Sequence, residues 1–212
     1  MTNASLTSPQ GFWDAVARKY AARPIGDIPA YEATLAHTRT WLKPSDRVLE
    51  VGCGSGTTAL KLAPAVADYL GTDISAEMIR IAREKAWEAS PPGLSFAQAA
   101  ADRGTLPDGP FDAALAFNLL HLLDNLDGGL AEIRNRLAPG GLLISKTPCI
   151  GGLFSPLRPV IGAMRLAGKA PRVLFLTSDA LRHRIEAAGF EIVETVDFHN
   201  SRKRPYFVAR KG

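Results

Sequence analysis

The chain has 212 residues, of which 46% are hydrophobic, and this is sufficient for the core of a single α/β domain. Two cysteines, Cys53 and Cys149, are too few for a disulfide scaffold and indicate a reducing compartment. The net charge of +4 does not indicate nucleic-acid binding, because much of the excess lies in two short basic clusters near the C-terminus without interleaved aromatic residues. The four histidines are scattered, so the sequence predicts no metal site.

Apolar runs typical of strands alternate with amphipathic runs typical of helices, which predicts a mostly parallel sheet covered on both faces. In chain order, the sequence predicts helices at Gly11–Ala22 and Ala30–Lys43, a strand at Arg47–Cys53, a helix at Thr57–Leu62, a strand at Tyr69–Asp73, a helix at Ala76–Glu88, strands at Leu94–Ala99 and Phe111–Asn118, a helix at Leu126–Leu137, a strand at Gly141–Lys146, a helix at Ser178–Ala188 and strands at Glu191–Phe198 and Tyr206–Arg210. The last two strands are predicted to pair as an antiparallel hairpin. Residues 1–212 are therefore interpreted as one domain, with N-terminal helices within residues 10–43.

The segment Thr147–Leu176 does not fit the alternation of strands and helices, and it contains Gly151-Gly152 and three prolines. It follows the fifth predicted strand, and ligands of doubly wound sheets bind at the carboxyl ends of the strands. The segment is therefore interpreted as a substrate cap that can move as a lid. An ordinary long crossover is the alternative.

A glycine-rich turn follows the first predicted strand, where Gly52, Gly54 and Gly56 occupy every second position before a helix that starts at Thr57. Such spacing lets the chain bend sharply and lets a ligand lie against bare backbone. The helix N-terminus adds N–H groups and a partial positive charge, which suit a carboxylate or a phosphate. Dinucleotide folds carry G-x-G-x-x-G, whereas this chain has Glu-x-Gly-x-Gly-x-Gly starting at Glu50.

The second predicted strand ends in an acid, Asp73, which lies 21 residues after Gly52. A carboxylate at this point can accept hydrogen bonds from both hydroxyls of an adenosine ribose. Asp73 taken alone could instead cap the next helix, because Ser75-Ala-Glu-Met begins a helical run. The glycine turn at this distance favours ribose binding.

The turn from Glu50 to Gly56 resembles motif I of the class I S-adenosylmethionine-dependent methyltransferases. The resemblance extends from Arg47 to the C-terminus, and the N-terminal Phe12-Trp13-Asp14 and Tyr20 are similar to the small-molecule branch of that family. It implies a Rossmann-like, doubly wound, seven-stranded sheet, S-adenosylmethionine as cofactor and methyl transfer to a small-molecule acceptor. The cofactor-binding residues that it implies are Gly52, Cys53, Gly54, Gly56, Asp73, Ile74, Ala101, Asp102 and Asn118.

The sequence departs from the family after the third strand, where an acid often contacts the adenine amino group. Here the stretch is Gln98-Ala-Ala-Ala-Asp102. Counting forward from Phe96 places Ala100 at the acid position, whereas counting back from Leu106-Pro107 places Asp102 there. The Ala101 N–H is expected to contact the adenine ring, and both side-chain alternatives stay open.

Methyl transfer is an in-line displacement, which requires alignment of the two reactants and exclusion of water. A base is needed only if the acceptor is protonated at working pH. His121 could act as the base or be a buried structural residue of its leucine-rich run, and Lys146 could meet an acidic acceptor or be only a charge at a strand end. Tyr20 could cover the cofactor or simply pack. Asn118 is expected to contact the methionine group of the cofactor. Glu50 is expected to accept hydrogen bonds from the N–H groups of the turn. The catalytic residue is left unassigned.

Three alternative functions were weighed against methyl transfer. A nicotinamide-dependent oxidoreductase has a different glycine spacing and a Tyr-x-x-x-Lys pair, which this sequence lacks. A non-catalytic cofactor-binding module would tend to lose the glycines or the acid at Asp73. Peripheral membrane association through Leu153–Gly168 requires a continuous amphipathic helix, against which two prolines argue.

The sequence carries no pattern of a signal peptide, and its longest apolar stretch, Ala113–Leu123, is too short to cross a bilayer. The expected location is therefore cytoplasmic, without integral membrane association. The motifs specify neither the acceptor nor the oligomeric state, because acceptor choice depends on residues outside the cofactor turn.

Overall fold

The computed structural model describes residues 8–89, 91–152, 157–166, 170–198 and 203–212, which contain seven β-strands and seven α-helices. The helices are α1 (Pro9–Ala21), α2 (Ile28–Thr40), α3 (Thr57–Leu62), α4 (Ala76–Ala89), α5 (Leu126–Arg136), α6 (Leu157–Leu166) and α7 (Ser178–Ala187). The strands are β1 (Arg47–Val51), β2 (Asp68–Asp73), β3 (Leu94–Gln98), β4 (Phe111–Phe117), β5 (Leu137–Lys146), β6 (Phe190–Val196) and β7 (Tyr206–Lys211).

The strands form one sheet in the order β3-β2-β1-β4-β5-β7-β6. The first five are parallel to one another, whereas β7 runs antiparallel to both β5 and β6. The Rossmann-like, mostly parallel sheet with an antiparallel C-terminal pair is therefore confirmed. The order reverses between β1 and β4, which are neighbours, and the carboxyl ends of strands at such a switch point form a ligand-binding crevice.

Two apolar layers cover the sheet because successive side chains of its strands point to opposite faces. In β4, Ala114 and Ala116 join a layer with residues of α5 and α7, whereas Ala113 and Leu115 join a layer with residues of α2, α3 and α4. All four β4 side chains are fully buried. Continuous apolar strands of this kind are expected when both faces of a parallel sheet are covered.

Most predicted helix ends are shifted by one to three residues, and in α2 and α6 the difference from the prediction has a local reason. Helix α2 begins at Ile28 rather than Ala30, because the Asp27 carboxylate caps it by accepting from the Ala30 N–H at 3.0 Å. Helix α6 was not predicted, since prolines argued against it. Pro159 lies in its first turn, where no carbonyl partner is needed for the missing N–H, and the helix therefore continues.

Within the described ranges, no helix combines the length and the apolar character needed to cross a membrane.

Candidate functional site

The turn after β1 is made of glycines in the left-handed region of backbone conformation. The φ angles are 73° at Gly52, 54° at Gly54 and 75° at Gly56. The Cys53 N–H donates to the Thr72 carbonyl of β2 at 2.8 Å, which fixes the start of the turn. Residues with a Cβ are disfavoured at positive φ, so the sharp turn depends on glycine.

The three glycines face different surroundings, as a Cβ built on each of them shows. At Gly52 this Cβ would lie 2.7 Å from the side chain of Leu119, which follows β4. At Gly56 it would lie 2.9 Å from the Cβ of Ala82 in α4. At Gly54 the nearest atom would be Tyr20 Cε1, at 3.9 Å. Gly56 thus permits close packing of the turn on α4, whereas Gly54 presents bare backbone to open space.

Asp73 ends β2 beside this turn, and its carboxylate is held by two backbone amides. Its Oδ2 accepts from the Gly54 N–H and its Oδ1 from the Ser75 N–H, both at 2.9 Å. Burial raises the pKa of Asp73, and the two amides oppose that rise. The cap of α4 is Ser75, whose Oγ accepts from the Met78 N–H at 3.1 Å. Each Asp73 oxygen retains a second lone pair for a ligand.

A first cavity, of about 100 Å³, lies between the turn, α1, the ends of β2 and β3 and the residues that follow β4. Seven of the residues predicted to bind the cofactor line this cavity, namely Gly52, Gly54, Asp73, Ile74, Ala101, Asp102 and Asn118. Gly56 is not among its walls, and Cys53 instead lines the neighbouring cavity. The structure thus brings the glycine turn, the β2 acid and the residues after β3 into one cleft.

A second cavity, of about 370 Å³, adjoins the first on the side of α2. The two share five wall residues, namely Tyr20, Gly52, Gly54, Phe117 and Asn118. The second cavity is also lined by the connection between α1 and α2, by Tyr31 of α2 and by Glu50 of β1. Sequence analysis missed Tyr31 and Phe117, because no local pattern reports which residues of α2 and β4 meet the turn.

Helix α1 closes one side of the first cavity and is fastened to α4. The Asp14 Oδ1 accepts from the Ser75 hydroxyl at 2.6 Å and from the Glu77 N–H at 3.1 Å. Arg18 of α1 pairs with Glu77 at 3.0 Å. Asp14 thus caps a helix remote in sequence, and this fixes α1 over the cavity.

Asn118 follows β4 at the junction of the two cavities and has a φ of 54°. Asparagine tolerates this left-handed conformation better than other side chains do, and such residues cluster at functional sites. Its backbone N–H donates to the Lys146 carbonyl at 2.7 Å, which fixes the turn to β5.

The residues after β3 place both candidates for the adenine contact in the wall of the first cavity. The Ala100 N–H donates to the Thr105 hydroxyl at 2.8 Å. The Asp102 Oδ2 accepts from the Asp124 N–H at 2.8 Å, which orients the carboxylate beside the cavity. Of these two residues only Asp102 offers a side-chain acceptor.

Glu50 is buried in β1, where its Oε2 accepts from the Tyr69 hydroxyl at 2.8 Å. The sequence-based expectation that N–H groups of the turn bind this carboxylate is wrong for the described residues, because its partner comes from β2. Burial raises the pKa of Glu50 to about 7. Glu50 lines the second cavity, and its carboxyl group therefore gains or loses its proton near neutral pH.

The two basic candidates, His121 and Lys146, line neither cavity. The His121 Nδ1 is buried without a partner among the described residues, and burial lowers the pKa of the ring to about 4. The Lys146 ammonium donates to the Thr34 hydroxyl at 2.6 Å and lies 5.4 Å from the centre of the Phe198 ring. Burial lowers the pKa of Lys146 as well.

The segment predicted as a cap supplies no wall to either cavity from its described residues, 147–152, 157–166 and 170–176. Its function as a substrate cap stays a prediction. Several of the apolar residues on which that prediction rests, including Leu153 and Phe154, lie outside the described residues.

The chemistry of the first cavity fits S-adenosylmethionine. The Asp73 carboxylate can accept from ribose hydroxyls, the Ile74 side chain offers an apolar surface to an adenine ring, and Gly54 leaves room against the backbone. Comparison with known proteins supports the same cofactor.

A model of the methyltransferase-domain family matches residues 18–195. An O-methyltransferase, cnsE, of Penicillium expansum is 29% identical over 90% of this chain and 67% of its own length. A demethylmenaquinone methyltransferase of Thermus thermophilus is 32% identical over 71% of this chain and 76% of its own. The solved DhpI–SAH complex aligns with a TM-score of 0.74 and 20% identity over 100% of this chain and 99% of that one, which shows the shared fold. On this evidence the chain belongs to the class I S-adenosylmethionine-dependent methyltransferases.

Proposed function

We propose that the protein transfers a methyl group to a small-molecule acceptor that binds in the second cavity, next to the cofactor in the first. The observation that carries this proposal is the common wall of the two cavities at Tyr20 and Asn118. A reaction between two bound molecules requires that their sites adjoin, so that the reacting atoms can be held in line.

For the cofactor, we assign the ribose to Asp73 and the adenine to the Ala101 N–H and the Asp102 carboxylate. The methionine group is assigned to Gly52, Gly54 and Asn118, where the two cavities meet. S-adenosylmethionine supplies a methyl carbon that its sulfonium already activates. The chain therefore has to hold the acceptor in line and exclude water, and α1 contributes by covering the cleft.

For the acceptor, the second cavity offers about 370 Å³ directly beside the first. Tyr31 and Phe117 give the second cavity aromatic walls, and the Tyr31 hydroxyl is fixed by a 3.2 Å hydrogen bond to Thr58. His121 and Lys146 lie outside these walls and are given no catalytic role. The relative from Thermus thermophilus is named for the acceptor demethylmenaquinone, which supports an acceptor that is a small molecule.

The Tyr31→Ala variant tests this assignment, because Tyr31 lines the second cavity but not the first. Acceptors are first found by screening small phenols, acids and amines for release of S-adenosylhomocysteine. For any acceptor found, kcat/KM is expected to fall by roughly tenfold in the variant, since an aromatic contact is lost. The Kd of S-adenosylhomocysteine, measured by calorimetry, is expected to stay within about twofold.

A Met164→Ala variant is the comparison, since Met164 belongs to the predicted cap. A larger loss of kcat/KM in Met164→Ala than in Tyr31→Ala would contradict the assignment of the acceptor to the second cavity and favour the cap. A parallel loss of acceptor turnover and cofactor affinity in Tyr31→Ala would show that the residue supports the fold of the turn instead.

The Asp73→Asn variant tests the ribose assignment. It removes the charge while keeping the side chain nearly the same size, and hydrogen bonds to charged groups contribute about 1.5–3 kcal/mol. The affinity for S-adenosylhomocysteine is therefore expected to fall by roughly tenfold or more in calorimetry. Asp68→Asn is the control, because it makes the same change at an exposed position at the start of β2. Unchanged affinity in Asp73→Asn would mean that Asp73 acts only by holding Gly54 and Ser75.

A further inference from the structure

The side chains of helix α6 that the structure describes are mostly exposed. From Arg158 to Arg165 its side chains are exposed, apart from Ile161, which is half-buried. Val160 is 53% exposed and Met164 is 42% exposed. By contrast, α5 buries Leu126, Leu130 and Ile133. Core packing does not account for exposed apolar side chains such as Val160 and Met164, so they require another explanation.

The exposed apolar residues of α6 form a stripe. Val160, Ile161 and Met164 are spaced by one, three and four residues, so they lie on one face of the helix. Arg158 and Arg165 are seven residues apart, which places both on the same flank of that stripe. The helix thus presents an apolar surface with cations along one side.

The stretch of sequence that contains α6 carries only positive charges. Between Glu132 and Asp179 the sequence contains no acidic residue, while Arg158, Arg165, Lys169 and Arg172 are all basic. Arg172 pairs with Asp124 at 3.2 Å, and the Arg158 guanidinium lies 5.1 Å from the centre of the Phe175 ring. The second contact holds α6 to the residues before α7 without burying its apolar stripe.

We infer that α6 is an interfacial helix that binds the surface of an anionic membrane. Apolar residues beside arginines are the arrangement with which short helices enter the boundary between headgroups and acyl chains. Anionic lipids attract each basic residue near the surface, which complements the charge of this segment. A second copy of the chain is a poorer occupant, because a twofold contact would bring arginines together without acids to pair with them.

This inference goes beyond methyl transfer and does not depend on it. Helix α6 follows β5 at the carboxyl edge of the sheet, where the two cavities lie. A membrane contact at this edge would bring the cleft close to acceptors that are dissolved in lipid. The contact is expected to be weak and reversible, since α6 is short and offers few apolar side chains.

The test is co-sedimentation of the full chain with vesicles of phosphatidylcholine alone and of phosphatidylcholine mixed with phosphatidylglycerol, at low and high salt. Binding is expected only to the anionic vesicles, and more weakly at high salt. Arg165→Glu reverses one charge, and Val160→Ser combined with Met164→Ser removes the apolar stripe. Each is expected to lower partitioning by roughly tenfold.

Two exposed positions far along the chain from α6 provide matched controls, namely Lys19→Glu for the charge and Trp87→Ser for the apolar contact. Both are expected to partition as the unchanged protein does. Calorimetry with S-adenosylhomocysteine reports separately on the fold and the cofactor site, so loss of methyl transfer would leave this test intact. Failure of the unchanged protein to bind anionic vesicles would overturn the inference. A dimer in light scattering that Val160→Ser with Met164→Ser dissociates would also overturn it, in favour of a second copy.

Discussion

Replacing Gly54 by valine is expected to lower the affinity for S-adenosylhomocysteine by more than about 100-fold, which corresponds to roughly 3 kcal/mol. A Cβ at this position would enter open space in the cleft, where the nearest atom is Tyr20 Cε1 at 3.9 Å. The isopropyl group would then occupy the volume that we assign to the methionine group of the cofactor. Calorimetry on the folded variant measures this loss of affinity.

Gly140→Val is the matched control for this prediction. Gly140 has a φ of 72°, against 54° at Gly54, and a Cβ there would meet nothing within 4 Å. Both variants carry the cost of a β-branched residue in the left-handed region, about 1–2 kcal/mol of stability. Only Gly54→Val is expected to lose cofactor affinity. Undiminished binding by folded Gly54→Val would remove the turn from the cofactor site.

Gly56→Ala provides a second contrast within the same turn. Its Cβ would lie 2.9 Å from Ala82 and 3.0 Å from Phe96 Cζ, so the substitution is expected to destabilise the packing of the turn on α4 and β3. The effect should therefore appear in the unfolding midpoint. A loss of affinity in Gly56→Ala without loss of stability would contradict this division between the glycines.

Replacing Glu50 by glutamine is expected to remove a pH-dependent loss of about 3 kcal/mol in the free energy of unfolding between pH 4.5 and pH 7. Burial raises the pKa of Glu50 from its ordinary value of 4.5 to about 7 in the folded protein. The folded state therefore binds a proton more tightly than the unfolded state does. The contribution of this proton to the free energy of unfolding is fully present below pH 4.5 and is lost as the pH rises through 7, because folding then requires burial of a carboxylate.

The glutamine side chain has no such cost, and its carbonyl can still accept from the Tyr69 hydroxyl. The difference in stability between Glu50→Gln and the unchanged protein should accordingly grow from pH 4.5 to pH 7 and stay constant above it. Urea unfolding of the ligand-free proteins across this range measures the difference. Glu88→Gln, at an exposed position of α4, is the control and should produce no such slope. A difference that is the same at every pH would show that Glu50 is charged in the folded protein.

The sheet and the position of the cofactor turn could be predicted from the sequence, because both depend on local patterns. The apolar runs at β1 and β4 mark strands buried on both faces, and Gly52 and Gly54 lie where the chain turns at positive φ, which glycine adopts most readily. Asp73 could be singled out because the end of β2 always lies beside the turn after β1 in this topology.

Which side chains meet in the site depends on the packing of the elements and could not be read from local patterns. Gly54 and Gly56 each follow the preceding glycine of the turn by two residues, yet Gly56 faces α4 and Gly54 faces the cleft. The direction in which a Cβ would point in a turn depends on the backbone angles and not on the interval in the sequence. Tyr31 reaches the second cavity through the packing of α2 on the sheet, and Glu50 finds its partner on β2. Whether α6 is buried or exposed depended in the same way on neighbours that are distant along the chain. Local patterns carry no information about such neighbours, since burial is a property of the packed elements together.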